Sequence, residues 1–224
     1  MTKKTKPQPK NRKPLSKEQL FRTAVLLADK EGVAALSMRK IAKKLGVEAM
    51  SLYHHVKNKD EILDGMVDFV FSEIDLPSSK ANWKAAMHQR ALSTREALSR
   101  HPWSIGLMDS RANPGPATLR HHDSVIGCLR RAGFSIAMTA HAFSLLDSYI
   151  YGFVLQELSL PLNQAEDIPE LAESIIQQTS ADEYPYLTEL AVEHTMKSAY
   201  SFTSEFEFGL EMILEGLERR RNTD

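Results

Sequence analysis

Residues 37–59 read SMRKIAKKLGVEAMSLYHHVKNK, and the fold follows from how this stretch divides. Its spacing predicts two short helices joined at Gly46. The first, about Met38 to Leu45, sets Ile41, Ala42 and Leu45 on one apolar stripe and turns Lys40, Lys43 and Lys44 towards water or an anion. Ser37 suits the N-cap. Gly46 suits the left-handed position that ends a helix and reverses the chain. The second helix, about Glu48 to Val56, is short and carries no carboxylate after Glu48. Its Ala49, Met50, Ser51, Tyr53, His54 and His55 are donors, acceptors or small apolar groups, which suit base edges, thymine methyls and phosphates. Two helices, a glycine turn and flanking cations compose a helix-turn-helix, whose second helix lies in the major groove. An ordinary basic helical hairpin has the same turn, so the surrounding charge has to decide.

Over residues 1–60 there are 15 Lys+Arg against 5 Asp+Glu, which leaves 13 of the 28 basic and 24 of the 29 acidic residues to the rest of the chain. The net charge of −1 conceals that polarity. A basic end on an acidic body points to a nucleic-acid-binding head on a scaffold that avoids phosphate. With 42 % hydrophobic residues, the 224-residue chain can bury one large or two small cores. There is no apolar run of 18 residues and no apolar segment behind the basic N-terminus, so neither a membrane span nor a secretory signal is expected. The single cysteine, Cys128, excludes an internal disulfide, fits a reducing cytoplasm and reads as a small core residue.

Residues 1–14 hold six cations and three prolines, and read as a disordered solubilising tail, with a minor-groove arm as the alternative. Ser16 to Gln19 is a capping box that opens a helix ending at Gly32, with Leu20, Ala24, Leu27 and Ala28 on one face. Asn58 to Glu61 is a second such box, opening a helix from Lys59 to about Asp75 with Leu63, Met66, Val67, Val70 and Ile74 inward. Its first turn, beside Lys59, offers amides to a phosphate. Leu76 to Ser79 breaks the chain.

From Asn82 to Arg100 an apolar stripe is interrupted by Arg90 and Thr94, which are either partnered core residues or pocket lining. Trp103 to Asp109 is a short apolar turn and Arg111 to Pro116 a loop. The next helix, about Ala117 to Ala132, places Leu119, His122, Val125, Ile126 and Leu129 inward. Ser135 to about Glu157 is the central helix of the body. Ala140, Ser144, Ser148 and Gly152 form a ridge of small residues along it, and Phe143, Leu146, Ile150 and Val154 a second apolar face. The last helix, about Phe202 to Arg220, shows Phe206, Leu210, Ile213, Leu214 and Leu217 on one side. Those aliphatics need a cover. Pairing of two copies in a four-helix bundle supplies one, and helices at 168–178 and 186–198 are the alternative. The acidic, proline-punctuated segment 159–185 reads as a variable surface region.

His54-His55 and His121-His122 are adjacent pairs, whose side chains diverge by about 100° on a helix and rarely share one ion. No cysteine pair, glycine-rich phosphate loop or nucleophile elbow is present. The sequence offers no argument for an enzyme, a metal site or a cofactor.

The run LSMRKIAKKLGV, then SLYHHVKNK followed by a helix, resembles the DNA-binding segment of the tetracycline-repressor (TetR) family. FEFGLEMILEGLERR at 206–220, and Gly133-Phe134-Ser135 opening a long helix, resemble that family's body. The likeness runs over 15–75, continues over 80–157 and 200–220, and thins between 158 and 200. It implies an all-α fold: a basic tail (1–14), a helix-turn-helix domain (15–60) and a ligand-binding and dimerisation domain (61–224). It implies DNA contacts from Arg39, Ala49, Met50, Ser51, Tyr53, His54, His55 and Lys59, although the Tyr53 ring has an alternative role packing beneath the helix. An effector pocket is implied at Arg90, Thr94, Trp103, Leu107, Arg111, Val125, Phe143, Ser144 and Asp147, and its two arginines hint at an anionic or carbonyl-bearing ligand. In the tetracycline repressor, which holds a magnesium–drug chelate, a metal-ligating His and a water-holding Glu match Leu107 and Gln156 here. Both departures remove magnesium chemistry. The expectation is a homodimer that binds a palindromic double-stranded operator and answers to a small-molecule effector by respacing its heads. Its use as activator rather than repressor, an appended enzyme using His122 and Asp147, and a module for acidic protein partners remain alternatives.

Overall fold

The computed structural model describes residues 15–78, 82–108, 110–160, 168–179, 181–197 and 201–221. The tail at 1–14, Asp109, and parts of the 76–79 break and of the 159–185 segment therefore lie outside the described residues. Among the described residues every regular element is helical: α1 (Lys17–Glu31), α2 (Met38–Leu45), α3 (Ala49–Leu52), α4 (Lys59–Ser72), α5 (Trp83–Arg100), α6 (Ile105–Met108), α7 (Pro116–Arg131), α8 (Ile136–Ser159), α9 (Ile168–Gln177), α10 (Pro185–Leu190) and α11 (Phe202–Arg220). The 103–109 stretch, expected as one turn, is a 3-10 turn at Pro102–Ser104 running into α6, and α10 passes into a π turn at Ala191–Thr195.

Local chemistry sets the ends. Ser16 and Gln19 make the full capping box at α1, and Gly32 leaves it at φ 77°. The box expected at Asn58 is one-sided. Asn58 Oδ1 accepts from Glu61 N at 2.9 Å, but the Glu61 carboxylate accepts from Lys57 N and Lys17 Nζ instead. The Lys17 ammonium and the Lys57 backbone amide occupy that carboxylate in place of the Asn58 amide.

Two hydrophobic cores meet inside α4. Leu20, Ala24, Ile41, Leu52, Val56, Ile62 and Met66 make one, and Val67, Val70 and Phe71 begin the other, which runs on through Met87, Leu98, Val125, Leu129, Leu146, Ile150, Leu210 and Leu214. The helix thus belongs rigidly to both. Ile62 and Phe71, outside the expected inward set, are buried, while Leu63 is only half-buried. The helix also ends at Ser72, earlier than expected.

The inner face of α7 is rotated from expectation. Leu119 and Ile126 are 55 % and 43 % exposed, and Thr118, His121, Val125, Cys128 and Leu129 are buried. The reason is the neighbour: α7 packs on α4 through a Thr118–Asp68 hydrogen bond, which sets its rotation. Burial pushes the Cys128 thiol up, as for a core side chain.

The need for a second copy to cover α11 is also corrected. Phe206, Leu210, Leu214 and Leu217 are buried by the chain's own α8 and α5. Arg95 of α5 pairs bidentately with Glu157 of α8 and lies 5.0 Å over the Phe206 ring. Trp83 Nε1 donates to Glu218. What stays outside is the opposite face of α11, with Phe208 and Met212 exposed. Ala140, Ser144, Ser148 and Gly152 are all exposed, so within one chain α8 is buried on a single face.

Candidate functional site

The helix-turn-helix is built as a wedge. Ser37 Oγ accepts from Lys40 N and opens α2. Gly46, at φ 69° and ψ 35°, takes the left-handed conformation that an L side chain resists, and Val47 N returns to Ala42 O at 3.1 Å. The second helix is shorter than expected. α3 covers Ala49–Leu52 and continues to Val56 only as turns, through His55 N to Leu52 O and Val56 N to Leu52 O. Glu48 opens it without a side-chain cap.

Leu52 and Val56 pin this segment to Ile41 and Ala42. The opposite side projects outward: Met50 is 73 % and Tyr53 49 % exposed. The Tyr53 ring is therefore not packed away beneath the helix. His54 is exposed, and Ala49, Ser51 and His55 are half-buried. Arg39, Lys43, Lys44, Lys57 and Lys59 are exposed around them. Lys40 is tied back to Glu31 of α1 at 2.7 Å.

The candidate pocket residues divide into three groups. Arg90, Thr94 and Val125 are fully buried, with Phe143 and Asp147 half-buried. Arg90 Nη2 donates to Asp147 Oδ1 at 2.5 Å and Arg90 Nε to His121 Nε2 at 3.2 Å, while Thr94 Oγ1 donates back to Arg90 O. His121, which sequence reasoning passed over for His122, is wholly buried. Its ring nitrogen facing Arg90 must accept, so its proton sits on Nδ1. Burial first, then the Arg90 charge and His122, lower its pKa to about 3 and keep it neutral. Arg90 Nη1 and His121 Nδ1 are buried donors without a hydrogen-bond partner. A stripe counted back from Cys128 and Leu129 would have found His121.

A second group lies at the seam with the head. Arg111 Nε donates to Asp64 Oδ1 of α4 at 2.6 Å, and Trp103 Nε1 to Asp29 Oδ1 of α1 at 2.7 Å. Leu107 is half-buried in α6. A cavity of about 210 Å³ opens here, lined by Asp64, Val67, Met108, Arg111, Thr118 and His122. The His122 ring stands edge-on to Phe71 and Phe143, which joins this cavity to the Arg90 layer. Ser144 stands apart, exposed on the outer ridge of α8. Among the described residues no three His, Cys, Asp or Glu side chains form a metal-ligand set, and no helix is long and apolar enough to cross a membrane.

Comparison with known proteins matches these parts one by one. The family profile "Bacterial regulatory proteins, tetR family" fits residues 20–66, and "Tetracyclin repressor-like, C-terminal domain" fits residues 76–221. An HTH-type transcriptional regulator of Saccharopolyspora erythraea is 37 % identical over 144 residues, which span 64 % of this chain and 61 % of that protein. The HTH-type transcriptional repressor DrrR1 of Streptomyces coeruleorubidus is 30 % identical over 91 % of this chain and 77 % of its own length. The crystal structure of ActR from Streptomyces coelicolor in complex with actinorhodin superposes with a TM-score of 0.78 at 27 % identity, covering 94 % of this chain and all of that one.

Proposed function

The chain belongs to the TetR family of bacterial regulatory proteins, and on that premise we propose that it is a homodimeric repressor whose hold on a palindromic operator is released by a small molecule. The observation that carries this reading is the two-sided α3 segment: Leu52 and Val56 lock it to the head while Met50, Tyr53 and His54 stand outward at its tip. Residues 15–60 form the reading head and 61–224 the body that senses ligand and dimerises. Arg39 reads a base, Ala49, Met50, Ser51, Tyr53, His54 and His55 meet the groove, and Lys59 holds a phosphate.

Two copies pair through the outer ridge of α8 together with Phe208 and Met212 of α11, small and large side chains that a single chain leaves exposed. The effector enters between α4 and α7 and reaches the Arg90 layer. Two buried donors there favour a ligand with acceptor oxygens, carbonyl, phenolate or carboxylate, because pairing them recovers the cost of leaving them bare. Occupancy displaces α4, which carries both cores, and so alters the distance between heads that must span half-sites about 34–36 Å apart.

A gel shift on the DNA upstream of the protein's own gene, repeated with a panel of acceptor-rich aromatic metabolites, tests the reading. Retardation that one class of metabolite relieves is the expected outcome. Absence of retardation at low salt removes the proposal.

A further inference from the structure

At the seam between α1 and the body, one imidazole stands between two carboxylates. His101 follows α5 and is 6 % exposed. Its Nδ1 lies 2.7 Å from Asp29 Oδ1 on α1, and its Nε2 lies 3.2 Å from Glu73 Oε2 at the end of α4. The same Asp29 oxygen accepts from Trp103 Nε1 at 2.7 Å. The same Glu73 oxygen accepts from Arg100 Nη2 and Nε at 3.0 and 3.2 Å. Phe69 of α4 and Trp103 flank the ring at centroid distances of 6.4 and 6.0 Å. A neutral imidazole owns a single N–H, so one of its nitrogens would meet a carboxylate with a lone pair. Only the imidazolium donates to both.

We propose that His101 is a positioning residue: as an imidazolium it clamps the head helix α1 to the end of α4, and loss of its proton loosens the head. Asp29 from α1, Glu73 from α4 and Arg100 from the last turn of α5 are the charged groups seen to face it. On deprotonation Glu73 keeps Arg100, so the α4–α5 junction holds. The link to Asp29 loses its ion pair, and the one N–H that remains on the ring no longer serves both carboxylates. The clamp therefore gives way on the head side. In the ligand-free chain it sets the head spacing, so operator affinity falls as the imidazolium gives up its proton. This last step rests on the repressor reading above, whereas the clamp itself does not.

The test uses the full chain with Trp83→Phe, which leaves Trp103 as the one indole. An imidazolium beside an indole quenches it, so emission is recorded from pH 5.5 to 8.5, alone and with His101→Gln. Imidazole ¹⁵N shifts of the unsubstituted protein read the same proton should Trp83→Phe perturb the fold. Amide exchange of α1, corrected for its intrinsic pH dependence, reports the tether, and upstream-DNA affinity reports function. The expected result is a one-proton emission step lost in His101→Gln, with α1 protection falling over the same interval. Operator affinity should fall about fivefold more in the parent than in the variant. That comparison also subtracts pH effects that arise at the DNA-facing surface itself. A step that survives His101→Gln, flat ¹⁵N shifts, or α1 protection with the same pH dependence in parent and variant overturns the proposal. A tether that responds while no DNA is bound at any pH retains the clamp and removes the repressor reading instead.

Discussion

Arg90 gives its Nε–H to Nε2 of His121 across 3.2 Å, and this one contact decides the tautomer of a fully buried ring. Because the guanidinium always donates there, the ring must stay neutral, and its pKa lies near 3 against an ordinary 6.5. Between those values the unfolded chain takes up a proton that the folded one refuses. Stability is thus fully present above about pH 6.5 and lost as pH falls towards 3, at a rate approaching roughly 1.4 kcal/mol per unit. His121→Gln keeps an acceptor and removes the titration. Urea midpoints at pH 4.5, 5.5 and 6.5 should decline less steeply in the variant than in the parent; parallel declines would place the acid sensitivity elsewhere.

Arg39 stands exposed at the start of α2. Arg39→Ala should cost roughly 1–3 kcal/mol of discrimination at one base pair while leaving the dimer intact. A binding-site selection that returns the parental consensus would count against Arg39 as a base reader.

Lys43, Lys44, Lys57 and Lys59 are exposed on the head, and on the repressor reading they are the cations that meet phosphate in each of two copies. If about six to ten phosphates are neutralised, log K should fall against log salt with a slope of roughly −5 to −9. Lys59→Gln should make that slope shallower by about two for the dimer. A slope indifferent to this change means that the first turn of α4 does not touch the backbone.

Gly152 lies on the outer ridge of α8, where an added Cβ meets nothing within 4 Å in the same chain. The single chain therefore tolerates Gly152→Arg, and helix propensity favours it. Light scattering should give 25.2 kDa for the variant and twice that for the parent. A variant that stays paired shows that the ridge is not the dimer surface.

Gly115 sits against Asp68, and a Cβ there would come within 2.3 Å of Asp68 Cγ. Asp68 also accepts from the Thr118 amide and hydroxyl. Gly115→Ala should loosen the α4–α7 contact and cost roughly 1–3 kcal/mol, read as a lower melting temperature. An unchanged melting temperature would mean the carboxylate swings aside at no expense.

The sequence by itself determined the local stops and starts and the polarity of charge. Ser16, Ser37, Gly32, Gly46 and Ser135 sit where helices must begin or end, because caps and left-handed turns depend only on residues three or four apart. The outward Met50 beside the inward Leu52 is legible for the same reason, whereas the outward Tyr53 ring is decided by the structure. Tertiary structure alone decided which face of α7 is inside, what covers α11, and that Glu61 answers to Lys17 rather than to Asn58. It also decided that Arg90 meets His121, and that His101 spans Asp29 and Glu73. These partners lie 28 to 72 residues apart. Helical periodicity marks only a stripe, and the rotation of that stripe by one residue is set by the helix that packs on it.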